Sequence, residues 1–219
     1  MRGLALVAHF DDAPIWVGGA IWGTLQLGWE WLVVTTSAAE PQRRGYIDAW
    51  CASLGVRSVA LSFCDHPDGA PFSRNARDEL LLCVREAVQG FRPDWVFAHN
   101  PDSLGEYGPH PNHLEAAEAA RELAHQGLWK ADRLALFAYQ RASGTAAPPV
   151  ARSGATHILP LDYPTLQRKA AWCASANDVE RADPELGENT WLRHLGWPCP
   201  NPEAFSAHDL PPPFLRRAR

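Results

Sequence analysis

The sequence predicts an α/β fold: a mainly parallel sheet covered by helices on both faces. Three observations carry this. Short apolar runs alternate with helix-like segments in βαβα order along the 219 residues. The first run, Leu4-Ala5-Leu6-Val7-Ala8, is continuously apolar, as strands covered on both faces are. That run ends directly in His9-Phe10-Asp11-Asp12, an imidazole and two carboxylates at the C-terminal tip of a strand, where open α/β sheets bind ligands.

The elements follow in order. After Leu4–Ala8, the stretch from about Pro14 to Leu27 reads as a helix, with Gly18-Gly19 suited to close packing on the sheet. Trp31–Thr36 is a β-branched strand. Residues from Pro41 to Leu54 read as a helix closed by Gly55, which fits the left-handed position after a helix end. Val56–Phe63 returns to strand. Ser73–Val88 carries Leu80, Leu81, Val84 and Val88 at helical spacing, and Asp94–Ala98 is again an apolar strand. The alanine- and glutamate-rich run from Pro111 to about Ala124 is a helix; Pro111 suits its first position, making His110 the N-cap and His113 a first-turn residue. Leu134–Tyr139 and His157–Leu161 are strand candidates and Pro164–Ser175 a helix. Ala142–Gly154 and Asp183–Pro213, rich in Pro and Gly, read as loops, and the basic Arg216-Arg217-Ala218-Arg219 as a solvated end. There is no internal repeat, so one domain over residues 1–219 is expected.

Composition narrows the function classes. With 46% hydrophobic and 21% charged residues the chain has material for a sizeable core. A formal charge of −5 gives no basic footprint for nucleic acid or an anionic membrane. No apolar run approaches the roughly 18 residues of a spanning helix, and Met1-Arg2-Gly3 leads at once into a strand, leaving no signal peptide. Five cysteines (51, 64, 83, 173 and 199) are odd in number and lack CxxC spacing. They indicate neither a disulfide framework nor a structural zinc site, and a cytoplasmic setting is expected. Most of the ten tryptophans are expected to pack in the core.

A second polar cluster, from His99 to His113, leaves the tip of the strand Asp94–Ala98 and runs into the helix at Pro111. Taken singly, each piece has a bland reading: Asp12 as a helix cap, His110 and His113 as surface histidines at a helix start. Together they read differently. Two strand tips in a parallel sheet can bring His9, Asp12 and His113 to one place, two nitrogens and a carboxylate with a position open for water, which is the ligand set of a catalytic zinc site. The positive end of the helix dipole disfavours an imidazolium at His113, keeping it in the neutral form a metal requires. Asp11 and His110 remain beside it as acid–base groups. The same donors also suit non-haem iron. No G-x-G-x-x-G or P-loop follows any strand, which speaks against dinucleotide binding.

Ala8-His9-Phe10-Asp11-Asp12-Ala13 and His110-Pro111-Asn112-His113 resemble the A-H-P-D-D-E and H-P-D-H motifs of the PIG-L/LmbE family of metal-dependent N-acetylglucosaminyl deacetylases. Arg44 through Gly55-Val56, Pro67-Asp68-Gly69, Arg92-Pro93-Asp94, Gly105-Glu106-Tyr107-Gly108 and Glu203-Ala204-Phe205 are similar to further family segments, in the same order. The resemblance implies a Rossmann-like fold and removal of an N-acetyl group from an N-acetylglucosamine-type conjugate, a small-molecule substrate. It implies His9, Asp12 and His113 as ligands of Zn2+ (or Fe2+), Asp11 as general base, His110 as the group stabilising the oxyanion, and Arg44, Tyr107 and Asn112 as substrate-binding. Phe10 stands where the family has proline, Ala13 where it has glutamate and Asn112 where it has aspartate; Pro109 is an extra residue before His110. A neutral amide at 112 stabilises an imidazolium less than a carboxylate does. An amidase acting on a thiol conjugate or an acetylated natural product, and a degenerate binding module, are the alternatives.

Overall fold

The computed structural model describes residues 1–64, 73–101, 110–140, 150–151, 155–182, 203–207 and 216–217. Five strands, β1 (Arg2–Val7), β2 (Glu30–Thr35), β3 (Arg57–Ala60), β4 (Trp95–Ala98) and β5 (Leu134–Phe137), run parallel in the order β5-β4-β1-β2-β3. The fold is α/β and Rossmann-like. β1 lies at the centre, with Leu4 opposite both Leu32 and Val96, which is why its sequence is apolar at every position from Leu4 onward.

Alternation along β1 feeds two cores. Leu4 and Leu6, with Leu32 and Val34, pack under α3 (Arg74–Ala87) and α4 (Pro111–His125), where Leu80, Val84, Ala120 and Leu123 meet them. Ala5, Val7 and Val33 face the other way, toward α1 (Gly18–Leu25), α2 (Pro41–Leu54) and α5 (Tyr163–Ala182). Small side chains on this face of β1 leave room for Trp16, Trp31 and Trp95, all fully or nearly fully buried. Among the described residues six tryptophans are buried, five on this face and Trp129 on the other; Trp191 and Trp197 lie outside the described residues. Ser73 caps α3 by accepting from the Ala76 amide, 3.3 Å, and Gly55 ends α2 at φ 69°.

The topology fixes where a ligand can enter. From β1 the chain builds outward through β2 to β3, then returns to place β4 on the other flank of β1. Loops at the C-terminal ends of β1 and β4 therefore diverge, opening a crevice at the switch point. His9–Asp12 follow β1 and His99 follows β4.

Several sequence boundaries are corrected. The first helix opens as a π-turn, Ala13–Val17, before α1 begins. Gly18 packs on α5 rather than on the sheet, since a Cβ there would lie 3.4 Å from the Trp172 ring. The third strand is shorter than Val56–Phe63, and Ser62 instead bridges antiparallel to Ser37. α5 continues past Ser175 to Ala182, since neither glycine nor proline interrupts it. The run Leu134–Tyr139 divides, because Tyr139–Gln140 (β6) leaves the main sheet to pair with Val150–Ala151 (β7), inside the stretch read as a loop.

Beyond β5 the main sheet turns antiparallel in the order β10-β8-β9-β5, with β8 (His157–Leu159), β9 (Glu203–Ala207) and β10 (Arg216–Arg217). So 183–213 is not all loop, and Arg216-Arg217 is not a solvated end: β9 pairs with both β5 and β8, and β10 pairs with β8. Pairing at an open sheet edge uses backbone groups and asks little of the side chains, so Glu-Ala-Phe-Ser-Ala gave no β-branched signal to read. Among the described residues no helix is long and apolar enough to cross a membrane. Among the described residues, Cys51, Cys64, Cys83 and Cys173 form no disulfide. Burial, reinforced by Asp48, pushes the Cys51 thiol up to about 12, so it stays protonated.

Candidate metal centre between two strand tips

The segment after β1 bends back on itself: the His9 amide donates to Asp12 Oδ2 at 2.6 Å. Asp12 makes no cap bond and has helical dihedrals, so the reading of Asp12 as a helix cap does not hold. Its carboxylate faces the crevice instead, where His113, delivered by the first turn of α4, reaches it from the β4 side.

The donor atoms of His9, Asp12 and His113 converge. His9 Nδ1 lies 3.1 Å from His113 Nε2 and 3.3 Å from Asp12 Oδ2, and His113 Nε2 lies 3.5 Å from Asp12 Oδ1. Ligands at metal distances of about 2.0–2.1 Å around a tetrahedral ion are separated by roughly 3.3 Å. The residues thus fit a divalent cation in donor chemistry and in spacing. Asp11 joins His9 and Asp12 in one cluster of donor atoms within 4.8 Å, and His110 joins His9 and His113 in another. The His110 ring meets that of His9 edge-on, with centroids 4.7 Å apart.

Asp12 is the electrostatic centre. It is only 3% exposed. Burial by itself would push the carboxyl up, but the charges of His113 and His99 and hydrogen bonds from His9 and His99 outweigh it and hold Asp12 well below the usual carboxylate range. It is therefore an anion at any working pH, the state a metal ligand needs.

The other site residues expected from sequence fall as follows. Asn112 is buried and donates from Nδ2 to Ser37 Oγ at 2.7 Å, while its Oδ1 has no hydrogen-bond partner among the described residues. It ties α4 to the tip of β2. Arg44 donates to Ser62 Oγ at 2.6 Å, and it is the neighbouring Arg43 that is buried, its guanidinium 5.6 Å from the Phe10 ring. Tyr107 lies outside the described residues.

Two residues touching the site were not singled out from sequence. Trp16 donates its indole N–H to Asp12 Oδ1 at 3.0 Å. His99, fully buried, holds Nε2 at 3.0 Å from the Ala8 amide and 3.2 Å from Asp12 Oδ2. A signal for His99 was present: Ala8-His9 and Ala98-His99 end the two central strands in the same way.

The model of the PIG-L family, described as GlcNAc-PI de-N-acetylase, matches residues 4–124. No curated protein matches the chain. Among solved structures, a deacetylase of the teicoplanin biosynthesis pathway is 19% identical, over 89% of this chain and 90% of that one, with a TM-score of 0.60. The N,N'-diacetylchitobiose deacetylase from Pyrococcus horikoshii is 20% identical, over 93% and 82%, with a TM-score of 0.58. The 4-carboxy-2-hydroxymuconate hydratase from Pseudomonas putida is 19% identical, over 88% and 82%, with a TM-score of 0.52. At these identities the likeness is one of fold, and the hydratase shows that this fold hosts more than one chemistry.

Proposed function

The chain belongs to the PIG-L family, and from that premise we propose that it is a metal-dependent hydrolase removing the N-acetyl group from an N-acetylglucosamine-type conjugate, releasing acetate and a free amine. The observation that carries this is the convergence of His9 Nδ1, His113 Nε2 and the Asp12 carboxylate at separations of 3.1–3.5 Å, with Asp11 and His110 adjoining. In this reading His9, Asp12 and His113 hold the cation, which is Zn2+, with Fe2+ served by the same donors.

When bound, the cation supplies Lewis acidity, which lowers the pKa of a water and polarises an acyl oxygen. The chain's own residues do the rest. Asp11 accepts the proton that water loses as its oxygen attacks the acetamide carbon. It then returns that proton to the amine nitrogen as the C–N bond breaks, so one water is consumed and Asp11 ends as it began. His110, at the start of α4, donates a hydrogen bond to the oxygen on which negative charge develops, an interaction of the kind worth about 3–4 kcal/mol. Arg44, Tyr107 and Asn112 serve substrate binding in this reading, with Asn112 acting through its position at the β2 tip. A small acetylated amino sugar suits the crevice at the switch point, and cysteines that form no disulfide among the described residues suit a cytoplasmic setting.

The test is release of free amine from a panel of N-acetylglucosaminides by zinc-loaded protein. Asp11→Asn is expected to lower turnover by about 10²–10⁴-fold with metal content intact. Near-native turnover in that variant would overturn the assignment of the base. Protein that holds metal yet hydrolyses nothing across the panel would overturn the deacetylase reading, and protein that holds none would support a binding module.

A further inference from the structure

Resting on that reading of the metal centre, we infer that Trp16 and His99 are positioning residues: backed by Phe137, they hold Asp12 and His113 from behind in the orientation the cation requires.

Three groups surround the Asp12 carboxylate, two of them donating to it. The His9 amide donates to Oδ2 at 2.6 Å, the Trp16 indole donates to Oδ1 at 3.0 Å, and His99 Nε2 stands 3.2 Å from Oδ2. The π-turn Ala13–Val17 explains how Trp16 arrives there. A π-turn rotates less per residue than an α-helix, so side chains four apart lie almost directly over one another.

His99 takes its place from the sheet. The Ala8 amide, at the end of β1, points at His99 Nε2 across 3.0 Å. That nitrogen also stands 3.2 Å from Asp12 Oδ2; a single imidazole nitrogen either accepts from the amide or donates to the carboxylate, and in either tautomer the ring packs against both at the floor of the crevice. The ring is also stacked on that of His113, with centroids 4.0 Å apart and planes 20° apart.

That stacking decides between two roles. The donor atoms of Asp12, His99 and His113 all lie within 4.8 Å, which by proximity alone would make His99 a ligand. An imidazole nitrogen binds a metal along its lone pair, in the plane of the ring. Nearly parallel rings 4.0 Å apart direct their lone pairs side by side, so one ion cannot lie in both planes. His113 points at the His9–Asp12 donors; His99 therefore supports.

Phe137 of β5 closes the arrangement. It is fully buried, stacked on Trp16 at 6.5 Å and edge-on to His99 at 5.3 Å. Trp16, Phe137 and His99 form an aromatic wall under the two ligands. Such outer contacts orient carboxylate and imidazole ligands, and their loss typically lowers metal affinity by about 10–100-fold.

The test is the zinc dissociation constant, from competition with a chromophoric chelator, alongside the melting temperature of the metal-free protein. Trp16→Phe keeps an aromatic ring in the wall but removes the indole N–H, and with it part of the buried ring system, leaving a small cavity. It is expected to weaken zinc binding by about 10–100-fold with melting within a few degrees of wild type. His99→Leu is expected to weaken binding similarly. His99→Gln, whose amide can accept from Ala8 and donate to Asp12, is expected to recover most of that loss. Should His99→Leu fail to fold, Trp16→Phe and His99→Gln still carry the comparison. Zinc constants for Trp16→Phe and a folded His99→Leu within twofold of wild type would overturn the positioning role while leaving the metal centre standing. A wild-type protein that binds no zinc would overturn the proposed function itself, and this inference with it.

Discussion

Between β1 and the π-turn the chain sends neighbouring side chains to different environments. Phe10 is fully buried, edge-on to Tyr46 at 5.4 Å, while His9 and Asp12 meet across the crevice. A phenyl ring in that position adds core packing and takes the Arg43 guanidinium over its face, a contact of about 0.5–2 kcal/mol. Asp12 pulls the other way: its stability comes from its charge. Its carboxyl is held below the unfolded value of 3.8, so the ionised form is favoured in the folded state. That contribution is fully present above about pH 4 and is lost as pH falls through the lower folded value. Asp12→Asn has no such contribution. In urea unfolding of chelated protein, the stability gap between wild type and Asp12→Asn is expected to be on the order of 2 kcal/mol at pH 7 and to close below pH 4. A gap that stays constant down to pH 2 would show that the carboxylate is not stabilised by its surroundings.

At the level of elements, two glycines illustrate different physical demands. Gly55 ends α2 at φ 69° with open space around the position of a Cβ, so Gly55→Ala meets only backbone strain, about 1 kcal/mol. Gly3 in β1 has an ordinary strand conformation, but a Cβ there would lie 2.7 Å from the Trp31 ring. That ring cannot retreat. Its N–H donates to Thr24 Oγ1 at 2.8 Å, the Thr24 hydroxyl donates to Ala20 O at 2.7 Å, and Phe97 lies 5.3 Å away. Gly3→Ala is expected to destabilise by about 1–3 kcal/mol through overpacking, more than Gly55→Ala, as thermal melting of the two variants would show. Only the first of these was legible in the sequence. A glycine after a helical run is a local signal, whereas the clash at Gly3 depends on a register that pairs it with Trp31. The same distinction explains the site. His9, Asp12 and His113 stand out because their spacing after strands and at a helix start is local. His99 and Trp16 gain their roles from contacts that depend on sheet register and on a π-turn, neither of which periodicity reveals.

Across the whole molecule, the parallel half of the sheet was readable because buried strands and their crossover helices each leave a periodic signal, and the antiparallel extension was not, because β9 and β10 are short pieces that join by backbone pairing. Their contribution is nevertheless specific. β9 covers the open edge of β5, with Ala135, Leu136 and Phe137 opposite Ala207, Ser206 and Phe205, and β8 reaches the sheet only through β9. A chain ending at Ala182 would therefore leave β5 an uncovered edge and β8 without either partner. Exposed edges template pairing with other chains, so this truncation is expected to melt several degrees lower and to associate with rising concentration, as size-exclusion chromatography would detect. The switch point lies further in, at β1 and β4, with β5 between it and the cut. The monomeric fraction is accordingly expected to retain zinc binding. A truncated chain that stays monomeric and melts like the full protein would mean that five parallel strands suffice for the fold. Loss of zinc binding in a folded truncated monomer would mean instead that the antiparallel strands, acting through β5 and its Phe137, help to hold the metal centre in shape.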